Sequence, residues 1–517
     1  MSKTKQQNSP ISSTLKQEIS FIGKKSIIYV LGPTLTHAVG FIMIPIYTRF
    51  ISPGNYGAME LIGIITTIVS MIISMGVADS MSRYYYAEED TQKRNEVVST
   101  IILGFGMLAI PIIIVFMSLS EILSFVVMEE SKYRFCLQIA IASLLFGMLN
   151  EIAITYLRMR YMAKLIVLVT TLHLILALSL NIWFVVFLHL DILGIFYSTL
   201  ITSCLAGTLL SIVILRKVGI HFSPTLLWRL VRFGLPLVPS RIGLFLGFVA
   251  NRFFLRWLGS PDPAQALVLI GLFSLGNKFA VVIDRFIAGP LYAFWGPRRM
   301  ELLYSKNPNA KNTIARICTY ALMLSIYAAL IISAGIESII EIVADPKYHG
   351  AYIVVPFLAL CFVVLGLERH FLTGIIYTQK TVWSTYASIL AIIITLLWNY
   401  FFVPKYGLIG AATSNLAGFA VRVTLIYLIS QHLFFIPFEM RRISLLFITA
   451  FGLYVSSQFI LVSSPWLTFA ARSGLATLYP LALLFVGFYR REELNFIFKK
   501  LKKSLTKKPF NIIALKN

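Results

Sequence analysis

The sequence predicts an all-α, polytopic membrane protein of about fourteen transmembrane helices. Three observations carry this: a lipid-like composition, apolar runs of membrane-spanning length, and loops that alternate in charge. Of 517 residues, 58% are hydrophobic and only 13% are charged, and the mean hydropathy is +0.82. Soluble proteins carry roughly 25% charged residues, so about half the usual polar coat is missing. The solvent for this surface is lipid.

Apolar runs of about 20 residues place spans near 26–50, 56–80, 97–119, 135–157, 165–188, 192–215 and 234–258. They continue at 266–294, 313–336, 352–377, 383–403, 408–433, 444–462 and 468–489. The first and eighth are long enough to need tilt or kinks, for which Pro33, Pro45, Pro236, Pro239 and Pro290 are available. The polar opening MSKTKQQNSPISSTLKQEIS contains no cleavable signal, so the first span is expected to act as its own insertion signal.

Net charge is +23 and the sequence pI about 9.8, values that in a soluble protein would suggest nucleic acid. Here the cations sit in alternate loops instead. One side collects Lys24 and Lys25, Arg83/Lys93/Arg94, Arg158/Arg160/Lys164, Arg216/Lys217/Arg229/Arg232, Arg298/Arg299/Lys306/Lys311, Lys380, Arg441/Arg442 and the tail from Arg490 to Lys516. The other holds SEILSFVVMEES, LGSPDPAQ, IESIIEIVADPKYHG and SSPW. About 32 of the 45 Lys and Arg fall on the first side, the positive-inside pattern, which excludes a nucleic-acid patch and puts both termini in the cytoplasm. Cys136, Cys204, Cys318 and Cys361 lie singly in or beside apolar stretches, as small core residues and not as a zinc site or disulfide framework.

The chain also repeats itself. Pro33 is followed sixteen residues later by Arg49-Phe50, and Pro236 sixteen residues later by Arg252-Phe253. NIWFVVFLHLDILG, from Asn181 to Gly194, is echoed by NYFFVPKYGLIG, from Asn399 to Gly410. Six spans separate the copies, so both halves share one orientation, as parallel repeats about an axis along the membrane normal. The organisation expected is a cytoplasmic segment (1–22), an N-lobe (23–217), a C-lobe (218–435), two trailing spans (436–490) and a basic tail (491–517).

A charge at the centre of a membrane helix costs about 2.5–3.5 kcal/mol on insertion scales, so unpaired ones need a reason. Arg241 and Arg252 lie in the seventh span, Lys278, Asp284 and Arg285 in the eighth, Arg369 in the tenth and Arg422 in the twelfth. Eleven residues of helix put Arg241 and Arg252 on one face about 16 Å apart, and a spacing of seven does the same for Lys278 and Arg285. Arg241 and Arg285 could snorkel, Asp284 could neutralise a neighbouring cation and Glu368 could serve Arg369. Arg252 and Lys278 point instead to a water-filled cationic cavity. The first half offers a less basic set, Thr34, His37, Glu60, Ser70, Ser74 and Asp79, with His37 and His173 read as core histidines. Glu60 either pairs with Arg49 or serves a coupling cation, and the ion pair is the simpler reading. The candidate substrate-binding cations are therefore Arg252, Lys278, Arg241, Arg285 and Arg49, with Glu60, Asp79 and Asp284 as coupling or ion-pair carboxylates.

No GxxxxGK[ST] loop, metal-ligand cluster or hydrolase motif occurs, so no cofactor, metal or catalytic residue is expected. A membrane polymerase would need a sizeable outer loop carrying acid and base, and the outer loops are short. An enzyme is disfavoured.

FIMIPIYTRFISPGNYGAMELI, with its Pro-x-Tyr-Thr-Arg helix end followed by Ser-Pro and Tyr-Gly, resembles the opening of polysaccharide flippases of the multidrug/oligosaccharidyl-lipid/polysaccharide exporter superfamily. FGLPLVPSRIG, NRFFLRWLG followed by IGLFSLGNKFA, and NYFFVPKYGLIGAATSN extend the likeness in order, from about residue 20 to 435. The resemblance implies two six-helix lobes around a cavity lined by spans 1, 2, 7 and 8. It also implies an undecaprenyl-pyrophosphate-linked oligosaccharide as substrate, carried to the outer leaflet of the inner membrane for O-antigen, capsule or exopolysaccharide assembly. Partners would then be the bilayer and polysaccharide polymerase and chain-length proteins. Asn251-Arg252 departs from the Asp-Arg of many relatives, which leaves Arg252 less neutralised and puts a coupling role for that acid in doubt. The alternative within the same fold is a multidrug/cation antiporter, for which an acidic cavity would be expected.

Overall fold

The computed structural model describes residues 40–305, 308–460, 462 and 464–495, without the side chains of 77–79, 163, 237 and 240. Pro33, Thr34, His37, most of the expected first span, the Asp79 side chain and the basic tail beyond residue 495 lie outside this description.

Among the described residues every regular element is helical. Helices start where the sequence sets a short capping oxygen before a proline. Ser52 accepts from Asn55 N at 3.2 Å ahead of Pro53, and Asp262 from Ala264 N at 3.0 Å ahead of Pro263. Ser223–Pro224 and Asp345–Pro346 repeat the device. The cap satisfies a backbone N–H that has no partner in the helix, and proline at the first position gives up no needed donor.

The first half contains α1 (Ile44–Phe50), α2 (Pro53–Ser74), α3 (Val77–Ala87), α4 (Thr91–Ser118), α5 (Arg134–Met159), α6 (Ala163–Ile182) and α7 (Asp191–Val218). An amphipathic helix, α8 (Pro224–Gly234), leads into the second half: α9 (Val238–Leu258), α10 (Pro263–Ala280), α11 (Gly289–Tyr304), α12 (Ala310–Val343), α13 (Val355–Phe371), α14 (Val382–Tyr406) and α15 (Leu408–Leu433). Two further long helices, α16 (Met440–Gln458) and α17 (Pro465–Thr477), follow. Eleven helices among the described residues are long and apolar enough to cross a membrane. The expected seventh and thirteenth spans are the helices α9, which carries three arginines, and α16; neither is among the eleven.

Two boundaries differ from expectation for identifiable reasons. Span 2 stops at Ser74 and not at 80, because Met75 (φ 43°) and Gly76 (φ 65°) are left-handed and end the helix. Span 8 is one 42-residue helical stretch whose middle, Ile283–Ala288, widens into a π-helical turn closed by Gly289 N on Asp284 O. Pro290 follows at once. It brings no N–H and crowds the carbonyl four residues back, and the wider turn accommodates it.

Loops gather at two ends. At the lightly charged end Tyr133 OH donates to Asn55 Oδ1 at 2.8 Å, and Asn55 Nδ2 donates to Asp191. At the basic end Ser80 Oγ donates to Leu230 O, and the backbone N–H groups of His221 and Ser223 donate to Ser99 and Thr100. These groupings are those the loop alternation requires. The repeat is visible in detail. Asn181 and Asn399 each donate to the carbonyl four residues back at 2.8 Å, and Gly194 and Gly410 lie against Phe184 and Phe402, each aromatic three residues beyond its asparagine.

The last two long helices dock on the second half. Arg472 reaches Glu337 of α12 at 2.6 Å, while Arg442 bridges Glu439 and Glu493 at 2.8 and 3.0 Å. α6 lies at the periphery with Val167, Leu168, Leu172 and Ile175 exposed, as a lipid-facing helix should. The free cysteines Cys136, Cys318 and Cys361 are buried, and Cys204 is half-buried.

Candidate functional site

The two halves meet chiefly where α2 packs on α10. The approach is backbone to backbone: a Cβ on Gly57 would stand 2.0 Å from Leu267 O, and one on Gly271 2.0 Å from Pro53 O. Only glycine at both positions allows it. Around this crossing the lightly charged end is bolted from several sides. Arg256 of α9, with its side chain 1% exposed, donates to Met128 O at 2.6 Å and stands 3.2 Å from Glu129. Tyr348 OH donates to Ile51 O at 3.1 Å, and Asp345 N to Thr48 Oγ1 at 3.4 Å.

Directly behind this closure sit Arg252 and Lys278. Arg252 is 6% exposed; its Nη1 donates to Asn251 Oδ1 at 2.9 Å and its guanidinium lies 4.7 Å from the centre of the Phe273 ring. Asn251 is itself fully buried and donates to Ala411 O at 3.5 Å. The partner of Arg252 is thus a neutral amide. Lys278 Nζ lies 4.9 Å from the ring centre of Tyr56 and 5.9 Å from that of Tyr47, both from the first half. Glu60 stands on the same helix as Tyr56, one turn further along. Among the described residues no carboxylate comes within ion-pairing distance of either cation. Arg252 is buried against the Phe273 ring, and Lys278 is half-buried beside the Tyr56 and Tyr47 rings.

A family profile settles the lineage. The profile for polysaccharide biosynthesis proteins matches residues 22–301, more than half of the chain. The chain belongs to the polysaccharide biosynthesis protein family. Among solved structures, this family member is similar to lipid II flippase MurJ in an inward closed conformation. Identity is 13% and the TM-score 0.72, over 90% of this chain and 99% of that one. It is also similar to an inward-facing multidrug resistance MATE family transporter of the MOP superfamily, at 16% identity and TM-score 0.58, over 82% of this chain and 100% of that one. At these identities the likeness shows the fold, which is that of the MOP transporters. No curated protein matches the sequence.

The other sequence candidates of this polysaccharide biosynthesis protein stand apart from the Arg252–Lys278 centre. Arg49, Arg241 and Arg285 are exposed, and the contacts that hold the centre do not include them. Arg49 makes no ion pair with Glu60: it sits at the end of α1, whereas Glu60 lies two turns inside α2 beside the α10 crossing. Asp284 pairs with Arg369 at 2.8 Å, and Glu368 pairs with Arg422 at 3.1 Å and not with its sequence neighbour. Adjacent residues on a helix point about 100° apart, so Glu368 and Arg369 face different partners. Ser70 and Ser74 donate to their own helix, at Thr67 O and Met71 O. Sequence reasoning missed Tyr47, Tyr56, Phe273 and Arg256. Arg256 had a readable signal, an arginine one turn beyond Arg252 in the apolar run FFLRWLG.

Proposed function

We propose that this protein is a flippase that moves an undecaprenyl-pyrophosphate-linked oligosaccharide across the inner membrane by alternating access of two lobes, without catalysing a reaction. The observation that carries the reading is a buried arginine, Arg252, and a half-buried lysine, Lys278, held by an amide and aromatic rings with no ion pair among the described residues. A pyrophosphate suits them: arginine offers a bidentate fork and lysine a point charge. Family membership supports a role in polysaccharide assembly, and the likeness in fold to the lipid II flippase MurJ supports lipid-linked cargo. The basic end is then cytoplasmic, with both termini there, and the lightly charged end faces outward. Arg241 and Arg285 would meet the headgroup at the cytoplasmic mouth and Arg49 at the outer rim, with Glu60 as the coupling carboxylate. The multidrug antiporter alternative draws on the MATE likeness, but a cationic junction repels cationic drugs.

Deletion tests the reading. Lipid-linked oligosaccharide should accumulate on the cytoplasmic leaflet and surface glycan should disappear. Normal surface glycan in a clean deletion, with no second flippase gene present, would sink it.

A further inference from the structure

The Lys278 ammonium belongs to the second half, yet what surrounds it belongs to the first. Tyr47 and Tyr56 stand on α1 and α2, and Glu60 follows one turn after Tyr56. Tyr56 is 1% exposed and its hydroxyl has no hydrogen-bond partner. Its ring is enclosed by the second half on two sides, by Lys278 and by an edge-on contact with Tyr348 at 5.8 Å. One residue further along α2, Gly57 makes the glycine crossing on α10, seven residues before Lys278. The Tyr56–Lys278 contact and the Gly57–Gly271 crossing therefore lie on the same two helices, so separating α2 from α10 would break both.

Resting on the reading above, we propose that Tyr47, Tyr56 and Glu60 form a resident substitute for the substrate's anion. They occupy Lys278 between transport events and thereby hold the lightly charged end shut. A cation over an aromatic face is bound weakly, and more firmly as it is withdrawn from water, and Lys278 is half-buried. A pyrophosphate offers full negative charge in place of ring quadrupoles and one distant carboxylate, so it displaces them. The freed Tyr56 hydroxyl then donates to a phosphate oxygen. Binding of cargo and release of the closure become one event, which keeps the empty carrier from opening outward as a leak.

The test uses the full chain in lipid nanodiscs, with its four cysteines replaced by serine or alanine. Spin labels at Ser131→Cys and Gln265→Cys, exposed positions near the helix starts of the lightly charged end in opposite halves, report the outward-open fraction. Without ligand, Tyr56→Leu and Glu60→Gln should each raise that fraction by about fivefold, whereas Tyr56→Phe, which keeps the ring, should not. The effect of Tyr56→Leu should vanish in a Lys278→Met background, an outcome that general damage to α2 would not produce. Equal open fractions in Tyr56→Leu, Glu60→Gln and the parent would overturn the proposal. Farnesyl pyrophosphate, with farnesol as the uncharged control, addresses the substrate separately. If the variants open but the parent ignores farnesyl pyrophosphate, the latch stands and the pyrophosphate cargo falls. If the parent opens with farnesyl pyrophosphate but the variants behave like it without ligand, the cargo stands and the latch falls.

Discussion

Arg252 and Arg256 are one helical turn apart on α9, both almost wholly buried, and their surroundings separate their roles. Arg256 is pinned by a carbonyl and a carboxylate of the first half, so its charge is spent on the closure. Arg252 has a neutral amide and a ring, which leaves its charge available to a ligand. Arg252→Ala and Lys278→Ala should therefore lose most transport while inserting at normal levels. Arg252→Lys and Lys278→Arg should keep part of it, measured as surface glycan in a complemented deletion. Acidic replacements should do worse than alanine. The pairs Asp284–Arg369 and Glu368–Arg422 behave differently. Removing one partner leaves a partly buried charge unmatched, at about 3 kcal/mol. Arg369→Met should thus lower thermal stability in detergent, and Arg369→Met with Asp284→Asn should restore much of it. At this scale the sequence made the cations visible because charge in an apolar run is rare. Their covering did not show, because two of 24 tyrosines and one of 39 phenylalanines carry no mark that separates a cage from a lipid-facing ring.

At the scale of elements, the helices were legible where local chemistry decides them. Apolar length fixed the spans, and Ser-Pro or Asp-Pro fixed several starts. The π-helical turn at Ile283–Ala288 was not legible beyond the warning given by Pro290, since it is a choice of hydrogen-bond partner and not of residue type. Nor was the α2–α10 crossing, because GxxxG-like spacing is common in membrane helices and does not name its partner. The crossing makes its own prediction. Gly57→Ala places a methyl where Leu267 O now stands, so α2 and α10 must part. Thr48, fully buried in the closure, should then become accessible. A Thr48→Cys label site should react with an impermeant maleimide in the Gly57→Ala background and stay protected in the parent. Protection in both would mean that the helices separate without opening this end.

For the whole molecule, the deciding quantity is where the charge lies relative to the bilayer. The side-chain contacts that close the Gly57–Gly271 side reach two connecting segments with few lysines and arginines, at Met128–Glu129 and at Asp345–Tyr348. The opposite end holds α8 with exposed Arg229 and Arg232, and the ion-pair cluster of Arg442 with Glu439 and Glu493. Insertion retains lysine- and arginine-rich loops on the cytoplasmic side, whereas acidic residues weigh little in that choice. Reporter fusions after Ser120, Pro261, Asp345 and Ser464 should therefore read as outside, and fusions after Lys93, Lys217, Lys306 and Arg442 as inside. If the two halves are parallel repeats, as their sequence echoes predict, both must obey the same rule. A reversal of every fusion would invert the molecule and put Arg49 and the closure at the cytoplasmic face. A reversal confined to the fusions after Lys217 would instead mean that an odd number of spans separates the repeats, and the matched Asn181 and Asn399 turns could then not lie at the same end of the membrane.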